Sequence, residues 1–214
     1  MKKQISLLIT LFLIFFTVSD GHATELQSFI DAQAIFEKSL AGDQNATQFA
    51  IEQFDHLAKN YPDQPLYSAY LGSAYTLKAR DAWMPWTRLK YVEKGLELID
   101  TALLNLRPKH DKMRLRDSIV SMETRLVALS TFLQVPSFLN RLQTAKDLLT
   151  ETFDSSAFAQ ANPEVKGRIY LRAAELADKE GKTQIKGDYL QKALNELPEG
   201  RFRDKAEKDL AGQE

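Results

Sequence analysis

The chain has 214 residues, of which 28 are Lys or Arg, 29 are Asp or Glu and none is Cys, so its formal net charge at pH 7 is −1. This balance argues against a nucleic-acid-binding protein, and the absence of Cys excludes disulfides, thiol catalysis and lipid attachment through Cys. The length fits one domain or one short array of repeats.

The first 23 residues have the three-part layout of a secretory signal peptide. Met1 is followed by two Lys, residues 5–18 are almost entirely apolar, and Gly21 and Ala23 are small residues before a possible cleavage site. The apolar run of about 14 residues is shorter than the roughly 20 that a membrane-spanning helix needs. We expect cleavage after Ala23 and a periplasmic or secreted bacterial protein that is not a lipoprotein, with an uncleaved anchor as the alternative.

Beyond residue 23, apolar residues recur at steps of three and four, and no alternating run is bounded by hairpin turns. The sequence therefore predicts an all-α protein of about eight or nine helices. Helices are expected to end at Gly or at turns that contain Pro, because Gly tolerates the left-handed conformation and Pro lacks an N–H. The predicted helices cover residues 25–41, 45–60, 65–80, 85–106, 111–133, 137–153, 163–180 and 183–197. Residues 199–214 are predicted to form a charged tail or a capping helix.

The same periodicity predicts the buried side of each helix. In the first two helices the expected buried residues are Leu26, Phe29, Ile30, Ala34 and Leu40, and then Phe49, Phe54 and Leu57. In the helix at 85–106 they are Leu89, Val92, Leu96, Ile99, Leu103 and Leu106. Gly72 lies inside the third helix, where it costs about 1 kcal/mol relative to Ala, so we expect another helix backbone to pass close to it.

Small, aromatic and Pro residues recur in a pattern that resembles the tetratricopeptide repeat. The residues that carry the resemblance are Ala50, Phe54 and Pro62; Leu71, Gly72 and Tyr75; Ala102, Leu103 and Pro108; and Ala193, Leu194 and Pro198. The resemblance implies a right-handed α–α superhelix of antiparallel helix pairs over residues 24–198, with a concave groove that holds a peptide or partner protein. An irregular helical bundle is the alternative.

The chain departs from this family between Gly72 and Gly95, which are 23 residues apart where the repeat has about 12. The extra residues are centred on the segment 79–91, which joins two predicted helices and contains both Trp residues of the chain. Trp, Tyr, Met and Arg are enriched where proteins bind other proteins, so we predict a partner-binding surface here. Its predicted members are Arg80, Trp83, Trp86, Arg88, Lys90 and Tyr91. Alternatively, the two Trp side chains fill the gap between helix pairs, with Arg80 paired to Asp81.

No catalytic or metal-binding pattern stands out. The sequence has no H-E-x-x-H, P-loop, G-x-S-x-G or G-x-G-x-x-G segment, and beyond the leader it has only His56 and His110. We interpret His110 as a cap in a turn and carboxylates such as Glu123 as exposed helix positions. We therefore predict a protein that is not an enzyme and has no catalytic residue, metal or cofactor. An envelope enzyme with an unrecognised site is the alternative.

Charge is distributed unevenly along the chain. Residues 24–77 contain 2 basic and 7 acidic residues, whereas residues 78–116 contain 10 basic and 5 acidic residues. The basic stretch ends in a cluster of Arg107, Lys109, Lys112, Arg114 and Arg116. Such asymmetry favours an oppositely charged partner, which leaves open peripheral contact with an anionic envelope surface or self-assembly into a homo-oligomer. The main prediction is an exported scaffold or adaptor that binds a protein or peptide, with no nucleic-acid partner; a self-assembling structural protein is the alternative.

Overall fold

The computed structural model describes residues 23–212. Within that range the chain forms ten α-helices, two short 3-10 helices and one two-stranded hairpin, which confirms the predicted all-α class. The α-helices are α1 at 23–40, α2 at Gln44–Asn60, α3 at Pro65–Asp81, α4 at Pro85–Leu104, α5 at Val120–Gln134, α6 at Arg141–Asp154, α7 at Ser156–Gln160, α8 at Pro163–Lys179, α9 at Thr183–Glu196 and α10 at Arg201–Ala211. The signal peptide predicted at 1–23 lies outside the described residues, except for its last residue.

Helix starts follow the chemistry of the first residues. Pro65, Pro85 and Pro163 occupy the first turn of α3, α4 and α8, where a missing N–H costs no helical hydrogen bond. Asp43 caps α2 by accepting hydrogen bonds from two N–H groups of its first turn, at 2.9 and 3.1 Å. Asn162 caps α8 in the same way, accepting from the N–H of Val165 at 2.8 Å.

The segment before α5 contradicts the predicted helix at 111–133. Arg114–Leu115 (β1) pairs antiparallel with Ser118–Ile119 (β2), and α5 begins only at Val120. The turn between the strands holds Arg116 at φ +54°, a left-handed conformation that a right-handed helix excludes. A 3-10 turn at Pro108–Asp111 precedes the hairpin.

Two further predicted boundaries are also wrong. The helix expected at 137–153 is interrupted at Asn140, which has φ +54°, so that Ser137–Leu139 forms a separate 3-10 turn before α6. The connection expected between residues 154 and 163 contains the short helix α7, whose cap Ser155 accepts a hydrogen bond from the N–H of Ala157 at 3.3 Å.

The helices pack against other helices that lie near them along the chain. The helices α3, α5 and α8 form a row in which α5 contacts both of the others, and α2, α4, α6 and α9 each pack against a member of that row. The most extensive helix–helix contact joins α3 to α4. The two backbones come closest where Gly72 crosses Gly95. A Cβ built on either Gly would lie 2.5 Å from the carbonyl oxygen of the other. The expected close approach of a helix backbone at Gly72 is therefore confirmed.

The predicted buried faces are correct in part, and Ala34, in the middle of α1, was expected inside and is exposed. Phe29, Phe54 and Ile99 are almost fully buried, as expected. Leu40, Phe49 and Leu89 were also expected inside and are exposed. In α1 the inward positions are Phe29, as predicted, together with Ala32 and Phe36, which were not predicted; these residues pack in one cluster with the aromatic side chains of α2 and α3. A periodic stripe is buried only where a neighbouring helix covers it.

The helix α10 occupies the range predicted as a tail or capping helix. It packs on α9 through a cluster that includes Ala206, Ala193 and Leu197. Its first residue, Arg201, forms an ion pair with Glu37 of α1 at 2.7 Å. The last helix therefore reaches back to the first one, across 164 positions of sequence.

Candidate partner-binding surface

The two Trp residues lie at the tip of the hairpin that α3 and α4 form. The joint between Asp81 and Pro85 has only three residues, and two of them, Ala82 and Met84, have extended ψ values of 138° and 131°. Extended backbone is what Pro imposes on the residue before it. The excess of sequence between Gly72 and Gly95 therefore lengthens both helices and does not form a long loop. We call residues 77–91 the hairpin tip.

The hairpin tip projects beyond the neighbouring helix α5. Thr131 Oγ1 donates to Ser73 Oγ at 3.0 Å, and Tyr70 Oη donates to Glu123 Oε1 at 3.0 Å, so α3 and α5 lie side by side in the same direction. From Ser73, α3 continues for about 12 Å, whereas α5 continues for about 4.5 Å from Thr131, at 1.5 Å per residue. The tip thus extends roughly 8 Å past the end of α5.

Both indole rings are exposed to solvent. Trp83 is 85% exposed and Trp86 is 69% exposed, and the adjacent side chains of Met84 and Leu89 are exposed as well. The buried face of α4 begins only at Val92. The alternative in which the Trp side chains fill the gap between helix pairs is therefore wrong. Adjacent exposed apolar side chains on a protruding tip are a feature of binding surfaces.

The opposite side of the tip is anchored to α1 and α2. Arg80 donates to the carboxylate of Asp81 at 2.7 Å and to the carbonyl oxygen of Ser39 at 3.0 Å. Thr47 Oγ1 donates to the same carboxylate at 3.0 Å. The pairing of Arg80 with Asp81, which was part of the alternative, is present, and the bond to Ser39 gives Arg80 a role in holding the tip against α1.

Arg88 also supports the tip. Its Nε donates to the carbonyl oxygen of Ala82 at 2.6 Å, which ties the first turn of α4 to the end of α3. Lys90, by contrast, is exposed and has no hydrogen bond or ion pair within residues 23–212. Of the three cations predicted to bind a partner, two therefore fix the geometry of the tip and one, Lys90, is available at its surface.

Tyr91 lies at the base of the tip, in the wall of a shallow groove of about 230 Å³. Its ring stacks on that of Tyr75, with centroids 6.2 Å apart, and Lys78 Nζ lies 4.8 Å from the Tyr91 ring centroid. The groove is lined by Gln44, Thr47, Gln48, Lys78, Asp81, Ala82 and Tyr91. Sequence reasoning missed Lys78 and Tyr75, although their spacing of three residues placed them on one face of α3.

Apart from Lys94, which lies within α4, the basic residues at 78–116 form two groups at opposite ends of α4. One group lies at the hairpin tip, and the other follows the last turn of α4, which is about 30 Å long. All five cations of the second group are exposed; they are Arg107, Lys109, Lys112, Arg114 and Arg116. The net charge of the stretch therefore does not describe one continuous patch.

His110 is a structural residue of the turn after α4. Its Nδ1 accepts a hydrogen bond from the N–H of Arg107 at 2.9 Å, so its Nε2 carries the proton and donates to the carbonyl oxygen of Asp63 at 3.1 Å. Burial lowers the pKa of His110 below its usual value, and the bond to Asp63 opposes that shift. The interpretation of His110 as a cap is confirmed.

Glu123 was expected at an exposed position and is buried. It accepts from Tyr70 Oη and lies 3.8 Å from a guanidinium nitrogen of Arg168, while Gln33 Nε2 donates to Tyr70 Oη at 2.9 Å. Burial and then the charge of Glu123 raise the pKa of Tyr70 well above its usual value, which keeps its hydroxyl protonated as a donor. These groups join α1, α3, α5 and α8.

No group of three or more His, Cys, Asp or Glu side chains in residues 23–212 is arranged to hold a metal ion. In the same range, no helix combines the length and the apolar character that crossing a membrane requires.

No protein family model, curated protein or solved structure matches the chain.

Proposed function

We propose that this protein is a non-enzymatic helical-repeat scaffold that binds another protein or peptide, and that the hairpin tip is its partner-binding surface. The observation that carries the proposal is the exposure of Trp83 and Trp86, at 85% and 69%. Covering a Trp side chain removes about 150–250 Å² of largely apolar surface from water. Trp is also among the residues that most often dominate the binding energy of an interface.

The anchoring of the tip supports the same proposal. Hydrogen bonds from Arg80 and Arg88 fix the backbone on both sides of Trp83 before any partner arrives. A surface that is ordered in advance loses less conformational entropy on binding. Lys90 adds an unpaired cation beside the indoles, which favours a partner that carries acidic residues at the edge of the contact.

The scaffold itself is proposed to be a right-handed superhelix of four degenerate repeats similar to the tetratricopeptide repeat. The pairs are α1–α2, α3–α4, α5–α6 and α8–α9, with α10 as a final cap. Two observations support this assignment: the pattern of which helices contact one another, and the close crossing of Gly72 with Gly95. The proposed location in the bacterial envelope, periplasmic or secreted, rests on the sequence of residues 1–23.

The direct test is a double substitution, Trp83→Ala with Trp86→Ala. Loss of a hot-spot side chain costs at least about 2 kcal/mol, so we expect partner affinity to fall by at least about 30-fold. The measurement is capture from an envelope extract, followed by titration of the captured partner. Because both indoles are exposed, the variant should keep the far-ultraviolet circular dichroism of the unmodified protein.

A matched control removes exposed apolar side chains elsewhere. Leu142 in α6 is 39% exposed and Ile185 in α9 is 44% exposed, so Leu142→Ala with Ile185→Ala tests apolar exposure without the tip. We expect this control to capture the partner normally. Equal capture by the tip variant would exclude the tip as the binding surface, and unfolding of the tip variant would show that the indoles belong to the core.

A further inference from the structure

A second surface lies at the end of α4 opposite to the hairpin tip. We call residues 107–116 the basic loop. It carries five exposed cations, and residues 107–117 include only two carboxylates, Asp111 and Asp117. Asp111 is directed at Arg125, with 3.7 Å between Oδ1 and Nη1. The loop therefore has a local excess of positive charge.

The cations of the basic loop are held mainly by uncharged acceptors. Arg107 donates to the carbonyl oxygens of Leu104 and Leu106, at 2.6 and 2.9 Å. Arg114 likewise donates only to carbonyl oxygens, both at 3.4 Å. Lys112 has no hydrogen bond or ion pair in the part of the chain that the structure describes. Carbonyl acceptors orient these side chains but leave their charge uncompensated.

Lys109 is the exception, because its Nζ lies 3.1 Å from Oδ2 of Asp63. Both side chains of that pair are exposed, and an ion pair in water is weak and easily exchanged for another anion. The pair with Asp63 therefore leaves Lys109 able to bind another anion.

The backbone of the hairpin supplies a second, independent observation. Arg116 has φ +54° in the two-residue turn between β1 and β2, a conformation that Gly or Asn adopts at lower cost. Its guanidinium donates to Gln33 Oε1 at 3.2 Å and has no carboxylate partner among residues 23–212. A strained residue that presents a charge at the apex of a turn is more consistent with a binding role than with a purely structural one.

We infer that the basic loop binds the surface of an anionic phospholipid bilayer. The cations lie on an exposed loop, and the apolar side chain of Leu104, which is 76% exposed, lies one turn before Arg107. A layer of lipid phosphates needs exposed cations and no shaped pocket, whereas an acidic protein partner would need a larger apolar centre than the single exposed side chain of Leu104 supplies. Each such cation strengthens membrane binding about fivefold (about 1 kcal/mol).

This inference does not depend on the proposed function, because the two surfaces are separated by the length of α4. The test uses the full mature chain and sedimentation with vesicles of phosphatidylcholine, with or without phosphatidylglycerol. We expect binding only to the anionic vesicles, with an affinity that falls as NaCl is raised. The probe variant is Lys112→Gln with Arg116→Asn, in which Asn retains the left-handed turn while the charge is lost.

The probe variant should bind anionic vesicles about 30-fold more weakly while keeping the melting temperature of the unmodified protein. A matched control, Lys179→Gln with Lys208→Gln, removes two exposed lysines from α8 and α10 and should bind normally. The assignment is overturned if the unmodified protein ignores anionic vesicles at low salt, or if the probe variant binds them normally. It is equally overturned if Trp83→Ala with Trp86→Ala abolishes vesicle binding, or if soluble polyglutamate binds and vesicles do not.

Discussion

His110 holds the turn after α4 only while its imidazole is neutral. Nδ1 must accept from the N–H of Arg107, and protonation would put a second donor at that position. Because burial lowers the pKa of His110 in the folded protein, the unfolded chain binds the proton more tightly. The stabilisation from His110 is therefore complete above the unfolded pKa of about 6.5, and it is lost as pH falls through the folded pKa.

We predict that the melting temperature falls as the pH is lowered from about 7.5 to about 5, and that His110→Gln removes part of this dependence. The substitution should also cost about 1 kcal/mol at neutral pH through a weaker hydrogen bond. The measurement is thermal unfolding at several pH values. His56→Gln, at an exposed position of α2, is the matched control and should keep the original pH dependence. An unchanged pH dependence in His110→Gln would contradict the assignment.

The α3–α4 hairpin is the element on which the proposed surface depends. At its centre the two backbones meet at Gly72 and Gly95, and a Cβ on either residue would be 2.5 Å from a backbone oxygen. Backbone cannot rotate away as a side chain can, so the helices would have to separate. Gly167 of α8 has an equally short distance, but to Cγ of the buried Leu197 side chain, and the nearest backbone atom, the carbonyl oxygen of Ala193, is at 3.2 Å.

We predict that Gly72→Ala lowers the free energy of unfolding by about 3 kcal/mol, as expected for overpacking against backbone. Gly167→Ala should cost clearly less, because Leu197 can adopt another rotamer and Ala favours the helix by about 1 kcal/mol over Gly. Urea denaturation of both variants measures the difference. Equal costs would mean that the Gly72–Gly95 crossing is not a rigid contact.

The elements also show what the sequence could and could not predict. The starts of α3, α4 and α8 were predictable because Pro has a local effect on the backbone. The hairpin before α5 was missed because Leu115 and Ile119 are buried in it as they would be on a helix face, and no Gly or Asn signals the turn at Arg116. Hydrophobic periodicity also does not report a single left-handed backbone conformation such as φ +54° at Arg116.

The position of the candidate site was predictable from the sequence, but the different roles of its residues were not. Clustering of Trp83 and Trp86 was visible in the sequence, whereas their exposure depends on how far α3 extends beyond α5. Arg80, Arg88 and Lys90 are equivalent cations in a sequence pattern. Only the nearby carbonyl oxygens of Ser39 and Ala82 show that the two Arg side chains support the tip.

At the scale of the whole molecule, α4 connects two different surfaces. The aromatic hairpin tip lies at its first turn and the basic loop follows its last turn, about 30 Å away. The ends of the described chain are also linked, because Arg201 of α10 pairs with Glu37 of α1. A protein partner at the tip would therefore leave the basic loop free to contact a membrane, so both proposed interactions can occur at once.

The central claim is that the hairpin tip is open in the free protein and covered by a partner. Both Trp residues of the chain lie at this tip, so the Trp fluorescence that this protein contributes reports on the tip alone, and the signal of the isolated partner is subtracted. The decisive measurement is quenching of that fluorescence by iodide, with and without the captured partner. We predict strong quenching in the free protein, and a blue shift with protection from iodide in the complex. A complex that forms without any change in emission or quenching would contradict the claim.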